Sequence, residues 1–243
     1  MSDRTLSQLD HALLELRSLV MNGEFSGGQR LSEVAVAKQL GTSRTPLRQA
    51  MDRLVAEGLL ERIETGGCRV ATFTRDDIAD AIELRGVIEG TAARMAAERG
   101  VSAELLSQAN AALEGIDRAI KASNGLNFEC YVHRNAEFHT LLAKFSGSAL
   151  VQREIERVSM LPLASPSAFL SEQAAIPDFV DSLRYAQRQH RAIVEAITNH
   201  EGARAEALVR EHARLALINF NYLTDVQPTL VNDVPGLALV AST

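Results

Sequence analysis

The chain has 243 residues, 46% of them hydrophobic and 23% charged, a balance suited to one or two soluble globular domains. Its net charge of −6 excludes wholesale nucleic-acid coating, and no apolar run approaches the roughly 18–20 residues that span a bilayer. Cys68 and Cys130 lie too far apart for a metal motif and read as free thiols, and the opening "MSDRTLSQLD" lacks a signal-peptide core, so a cytoplasmic protein is expected.

The average charge hides an asymmetry. Residues 1–75 hold ten Lys/Arg against nine Asp/Glu, while the rest of the chain holds fifteen against twenty-two. A near-neutral head on an acidic body predicts two domains with different partners. Ala and Leu are abundant and β-branched runs are few, so the fold class is mainly α.

In the head, Leu9, Leu13, Leu16 and Val20 recur at helical spacing and predict a helix over about residues 5–21. "MNGEFSGGQ" is a turn region, and residues 32–40 form a short helix that Gly41 ends, because the position past a helix often needs positive φ. Ser43 is placed to cap the next helix, and Pro46 falls in its first turn. From Arg44 to about Glu57, Leu47, Ala50, Met51 and Leu54 share one face; Arg44, Thr45, Arg48, Gln49 and Asp52 share the other. That is helix–turn–helix spacing, with donors suited to base edges and phosphates on the exposed face and few counter-charges nearby. "LLERIETGGCRVATF" then predicts a hairpin around Gly66 and Gly67, the wing, with Arg69 leaving it toward DNA.

"SRTPLRQAMDRLVAEGLL" followed by "GGCRV" resembles the DNA-binding domain of the GntR family of bacterial transcription regulators over residues 8–73. The resemblance implies that Arg44 and Arg48 touch DNA, that Arg53 supports or contacts phosphate, and that the wing glycine enters the minor groove. Ser43, Thr45, Gln49, Gly66, Gly67 and Arg69 complete the candidate DNA-binding set. Where many relatives carry an arginine early in the second helix, this chain has Val34.

Beyond Thr74, a cap followed by acidic residues, helical patterns are continuous. Helices are predicted near 75–98, 102–122, 125–146, 148–160, 178–199 and 202–224; residues 164–177 read as a loop and those after 225 as a tail without periodicity. The expected organisation is a winged helix-turn-helix over 1–74, an all-α helical bundle over 75–225 and a tail over 226–243.

Polar residues interrupt the apolar stripes of the bundle: Arg85 in its first helix, Asn135 and His139 in the third, His190 and then His212 with Asn219 in the last two. A single such histidine reads as a hydrogen-bonded core imidazole. Three on different helices, with Asn135 one turn before His139, can converge on a divalent cation such as Zn²⁺. His11, His133 and His200 lie off these stripes and read as structural or solvated. Arg85 has two readings, an i,i+4 pair with Glu89 or a ligand contact.

"IELRGVIEGTAARMAAE", "NAEFHTLLAKFSGSALV" and "HRAIVEAI…GARAEALVREHARLALINF" resemble the FCD effector domain of FadR-type GntR regulators, over about residues 76–222. The resemblance implies an FCD-type bundle that binds Zn or Ni through Asn135, His139, His190 and His212, with Arg85 taking a carboxylate ligand. Asn135 replaces the commoner Asp, as in VanR-like members, leaving four uncharged metal ligands and favouring an anionic effector. Tyr131 and Asn219 complete the candidate ligand-binding set, and Phe128, Tyr131, Phe138, Phe179 and Tyr222 suggest an apolar wall that admits an aromatic ring. The expected function is a homodimeric repressor whose binding to double-stranded operator DNA responds to a small carboxylate, with no membrane partner. The alternatives are a DNA-binding dimer with a purely structural helical core and a metal-dependent hydrolase; the latter lacks an obvious general base and leaves the winged helix unexplained.

Overall fold

The computed structural model describes residues 7–123, 125–162, 164–166, 173, 176–226 (222–226 as backbone), 236 and 239–240. The chain divides into two compact units. One comprises Met1–Ile78, Leu161–Leu163 and Thr229–Thr243, and the other comprises Ala79–Met160 and Ala164–Pro228.

The first unit contains helices α1 (Gln8–Met21), α2 (Glu33–Gln39) and α3 (Arg44–Ala56) and strands β1 (Arg30–Leu31), β2 (Leu60–Arg62) and β3 (Cys68–Val70). Ser7 and Ser32 accept backbone N–H bonds from Asp10 and Ala35, giving α1 and α2 defined starts. Gly41 adopts φ +61° just past the α2 C-cap, the left-handed conformation the turn requires. Ser43 occupies the N-cap position of α3, but its side chain makes no capping bond, contrary to expectation. The start of α3 instead rests on Pro46, whose φ is fixed by its ring, and on the buried anchor Leu47. The sheet is antiparallel in the order β1-β3-β2. β1 was not expected: two residues are too few to show an alternating pattern.

Leu16, Val20, Leu31, Leu47, Leu54, Leu60 and Val70 form the core of this unit. Leu239 joins them with no exposed surface. Phe73 N–H donates to Leu239 O at 2.8 Å, Gly236 N–H donates to Met21 O at 2.6 Å, and Val240 bridges to Phe73 in parallel. Gly236, Leu239 and Val240 thus complete the core that α1 begins; the rest of residues 227–243 lie outside the described set.

The second unit is helical: most of α4 (Arg75–Arg99), then α5 (Ala103–Ile120), α6 (Phe128–Phe145), α7 (Ala149–Ser159), α8 (Pro177–Thr198) and α9 (Gly202–Val226). Ser102, Asn127 and Ser148 cap α5, α6 and α7. At the start of α4, Thr74 and Asp77 exchange bonds, Thr74 N–H to Asp77 Oδ2 and Asp77 N–H to Thr74 Oγ1. A Cβ at Gly86 would lie 2.8 Å from Ala213 Cβ, so glycine lets α4 approach α9 closely. The apolar core is built from Ala93, Leu113, Ile116, Phe138, Leu142, Phe179, Leu183, Ile193 and Val209.

Leu239→Ala should destabilise the first unit by about 2–5 kcal/mol, the usual cost of a leucine-sized cavity. Urea denaturation followed by a probe in α1 or α3 measures it, and an unchanged midpoint would place Leu239 outside that core.

Candidate DNA interface and histidine centre

On α3, Arg44, Thr45, Arg48, Gln49, Asp52 and Arg53 are exposed, while Leu47, Ala50, Met51 and Leu54 are buried. The arginine face is less bare of counter-charge than its sequence suggests. Arg48 Nε donates to Glu33 Oε2 of α2 at 2.7 Å, Arg69 pairs with Glu61, and Arg62 pairs with Asp52. Arg44 and Arg53 make no ion pair among the described residues. Such exposed pairs contribute little to stability, so their acids hold the arginines in place rather than consume them. Gly66 and Gly67 have φ of +92° and +88°, which only glycine adopts readily, and they form the wing tip. Arg30 Nη2 donates to Gly66 O at 3.0 Å, and an open groove of about 410 Å³ runs between the wing tip, Arg30, Ser32 and Glu33. Sequence reasoning missed Arg30; the only available signal was its place just before the α2 cap. Val34, early in α2, is 58% exposed.

In the helical unit α6, α8 and α9 bring His139, His190 and His212 together, all buried. His190 Nε2 lies 3.0 Å from His212 Nε2, and His212 Nε2 lies 3.4 Å from His139 Nε2. Ligands about 2.0–2.1 Å from a tetrahedral Zn²⁺ stand about 3.3 Å apart, close to these two separations, and all three ligand atoms lie within 4.8 Å of one another.

The other ring nitrogens fix the protonation. His139 Nδ1 faces Glu89 Oε1 at 3.2 Å, His190 Nδ1 faces Gln187 Oε1 at 3.1 Å, and His212 Nδ1 faces Gln189 Oε1 at 3.1 Å. Gln187 cannot be flipped, because its amide N–H groups donate to Leu113 O and Asp117 Oδ1. An imidazole whose Nδ1–H donates to an oxygen has, when neutral, a bare lone pair on Nε2. Three such lone pairs meet in an apolar core. A proton could bridge them only by making one ring cationic, and burial together with the neighbouring imidazoles pushes the pKa of His190 well below its usual value and that of His212 to about 3. A divalent cation resolves the conflict, and the donor set fits one.

Beside the histidines lies a second buried group. Arg85 Nε stands 3.6 Å from Glu89 Oε2, both side chains 2% exposed. Arg85 Nη1 donates to Ala164 O at 2.7 Å. Burial alone would raise the pKa of Glu89, but the Arg85 guanidinium and His139 outweigh it and hold the value at about 2. Of the two readings of Arg85, the pair with Glu89 is present, and the side chain also lines the cavity that His212 borders. The four candidate metal ligands carry no charge, but one carboxylate, Glu89, sits directly behind His139. Sequence reasoning saw Glu89 only as a helical partner, and the Nδ1 acceptors Gln187 and Gln189 went unremarked.

Arg85, Tyr131, Asn135, His212 and Asn219 line one cavity of about 30 Å³, with Pro166 as another wall. Asn135 Nδ2 donates to Pro166 O at 2.9 Å. A larger cavity of about 220 Å³ reaches Glu89 and His139, and its lining includes Lys144, Gln152, Glu156 and Pro166. Most of the expected aromatic wall lines neither: Phe138 and Phe179 pack in the core, Phe128 at its edge, and the Tyr222 side chain lies outside the described residues. Tyr131 alone of that group borders the smaller cavity. His11 and His133 are exposed, and His200 Nδ1 meets Ala97 O at 2.7 Å, a structural contact.

Residues 80–215 match the model of the FCD domain, and residues 9–70 match that of the bacterial regulatory proteins of the gntR family. The HTH-type transcriptional regulator YdhC of Bacillus subtilis (strain 168) is 30% identical over 147 residues, 60% of this chain and 64% of that one. The "Probable D-xylose utilization operon transcriptional repressor" of Paenarthrobacter nicotinovorans is 31% identical over 202 residues, 79% of this chain and 80% of its own. The transcriptional repressor GlaR of Escherichia coli (strain K12) is 26% identical over 202 residues, 81% of this chain and 88% of its own. Among solved structures, E. coli McbR/YncC superposes with a TM-score of 0.60 at 19% identity, covering 89% of this chain and 100% of that one, and so shares the fold. The chain belongs to the GntR family of bacterial transcription regulators, in the FadR-like branch that joins a DNA-binding winged helix to an FCD effector domain, and it is a regulator rather than an enzyme.

Proposed function

We propose that this regulator is a homodimeric repressor that binds a pseudo-palindromic operator and responds to a small carboxylate held at a divalent metal. The observation that carries the reading is the convergence of three buried Nε2 atoms whose Nδ1 partners are all oxygen. His139, His190 and His212 would hold the cation, with the amide oxygen of Asn135 as a fourth protein ligand. When bound, the metal supplies positive charge and open coordination positions. Arg85 and Glu89 cancel each other, and the imidazoles are neutral, so a buried dication would remain uncompensated. An anionic effector supplies the missing charge, and Arg85, Tyr131 and Asn219 line the cavity beside it.

Repression is supported by the two relatives named as repressors. Dimerisation is supported by the helix–turn–helix geometry, since paired recognition helices read half-sites about one helical turn apart. Arg44, Thr45, Arg48 and Gln49 on α3 would read the major groove, with Arg53 on phosphate and Gly66, Gly67 and Arg69 at the wing. Effector binding would shift the population of DNA-competent dimers.

Native mass spectrometry should find one divalent cation per chain after exposure to Zn²⁺ or Ni²⁺, lost in His139→Ala and His212→Ala; wild type that stays metal-free would sink the metal centre. In chelator-treated protein the depressed His212 value means that the unfolded chain binds the extra proton between about pH 6.5 and about pH 3. Stability should therefore be full above pH 6.5 and fall as pH drops toward 3. Thermal unfolding at pH 7.5 and pH 5.0 reads this, and equal midpoints would count against a neutral buried triad.

Arg48→Ala should cost about 1–3 kcal/mol of operator affinity if the guanidinium leaves Glu33 to read a base. A gel-shift titration at fixed salt measures it, and affinity equal to wild type would confine Arg48 to its ion pair.

A further inference from the structure

Each ring of the histidine centre is held at Nδ1 by a different kind of partner. His139 meets the carboxylate of Glu89, and His212 meets the amide of Gln189. His190 meets the amide of Gln187, three residues earlier on α8. A carboxylate offers oxygen whichever way it turns. An amide offers oxygen on one side and N–H on the other, so what His190 meets depends on what holds the amide.

The Gln187 amide is held from α5. Its Nε2 donates to Leu113 O at 2.8 Å and to Asp117 Oδ1 at 3.1 Å. Both N–H groups are thereby used, and Oε1 is left for His190 Nδ1 at 3.1 Å. Leu113 O also belongs to the α5 ladder, where its partner four residues on is Asp117, so the carboxylate is the stronger of the two acceptors. Reversing the amide would turn its oxygen toward a carbonyl and a carboxylate and would present an N–H to Nδ1. His190 would then carry its proton on Nε2, the nitrogen that faces His212. The Gln189 amide has no such second anchor among the described residues. The other oxygen of Asp117 takes the guanidinium of Arg191, which follows His190 on α8. Gln187 is 4% exposed and His190 not at all, whereas the Asp117 side chain is 28% exposed. A carboxylate at the edge of the helical unit is therefore joined, through one amide, to the most deeply buried ring of the centre.

We propose that Asp117 is a positioning residue of the histidine centre: through Gln187 it holds His190 in the form whose proton is on Nδ1 and whose Nε2 lone pair is bare. The carboxylate also polarises the amide, which raises the basicity of that lone pair. Asp117 acts on the ring only through Gln187 and touches no atom of the centre. The consequence for cation affinity rests on the proposed metal centre, while the placement of the proton is a property of the chain alone.

Nitrogen NMR of metal-free, histidine-labelled full-length protein reads which ring nitrogen of His190 carries the proton, and chelator competition with Zn²⁺ reads affinity. Wild type should show His190 protonated on Nδ1. Asp117→Leu, close in size and without an acceptor, should move most of the population to Nε2 and weaken Zn²⁺ binding by about tenfold to a hundredfold, the usual loss when a ligating histidine is deprived of its outer partner. Asp117→Ala replaces it if leucine prevents folding. Asp117→Asn can still turn an oxygen to Gln187, so the proton should stay on Nδ1 and affinity should fall by no more than about threefold, a small share of that range. Adding Gln187→Glu to Asp117→Leu should restore both readouts, because a carboxylate presents oxygen to Nδ1 whichever way it turns. The proposal is overturned by a proton that stays on Nδ1 in Asp117→Leu, by equal losses in the leucine and asparagine variants, or by a double variant no better than Asp117→Leu. Wild type that takes up no Zn²⁺ would sink the metal centre, and the proton on His190 in the metal-free variants would still decide the role of Asp117.

Discussion

Three imidazole lone pairs aimed at one point inside an apolar core set the terms for the rest of the helical unit. Each ring is held there by an oxygen on its far nitrogen, and none can turn without breaking that bond. The acceptors come from α4 and α8, and the rings from α6, α8 and α9, so four helices are cross-linked through polar contacts. Such a network is costly when incomplete and rigid when complete. Filling the centre with a cation would turn a local repulsion into the strongest cross-link of the unit.

Arg85 and Glu89 extend this constraint outward. Glu89 serves both His139 and Arg85, and Arg85 in turn reaches a backbone carbonyl seventy-nine residues away in sequence. The buried carboxylate stays ionised because a guanidinium stands beside it, and the guanidinium is tolerated in the core because the carboxylate is there. Removing either alone would strand the other charge. The pair therefore behaves as one element, linking His139 on one side to the carbonyl of Ala164 on the other.

Much of this was legible in the sequence, and the reasons are specific. The start of α4 was readable at Thr74 because capping is a local event recorded in adjacent residues, and Asp77 N–H does donate to the Thr74 hydroxyl. The three histidines were readable because each breaks an apolar stripe. The unread features are long-range. Gln189 serves a ring on the next helix, a relation with no periodic trace. Glu89 sat in plain view as a helical partner of Arg85, but its contact with His139 crosses fifty residues. Phe138 and Phe179 looked like pocket walls because hydrophobicity alone does not distinguish a residue that lines a cavity from one that fills it. Ser43 had the right chemistry at the right position and still made no cap bond, since position permits such a bond without compelling it.

The burial of Leu239 among Leu16, Val20 and Leu54 has a consequence for biosynthesis. Leu239 follows the last residue of α3 by about 180 residues, so the helices of this unit are made well before the leucine that completes their core. Translation at about 5–20 residues per second separates the two by tens of seconds at the slow limit. During that interval the DNA-binding unit has a hole in its core where a leucine belongs, and its stability is lower by the cost of that hole. Full affinity for DNA would thus be acquired only once Leu239 has been made, and a nascent chain still short of it would compete poorly for the operator.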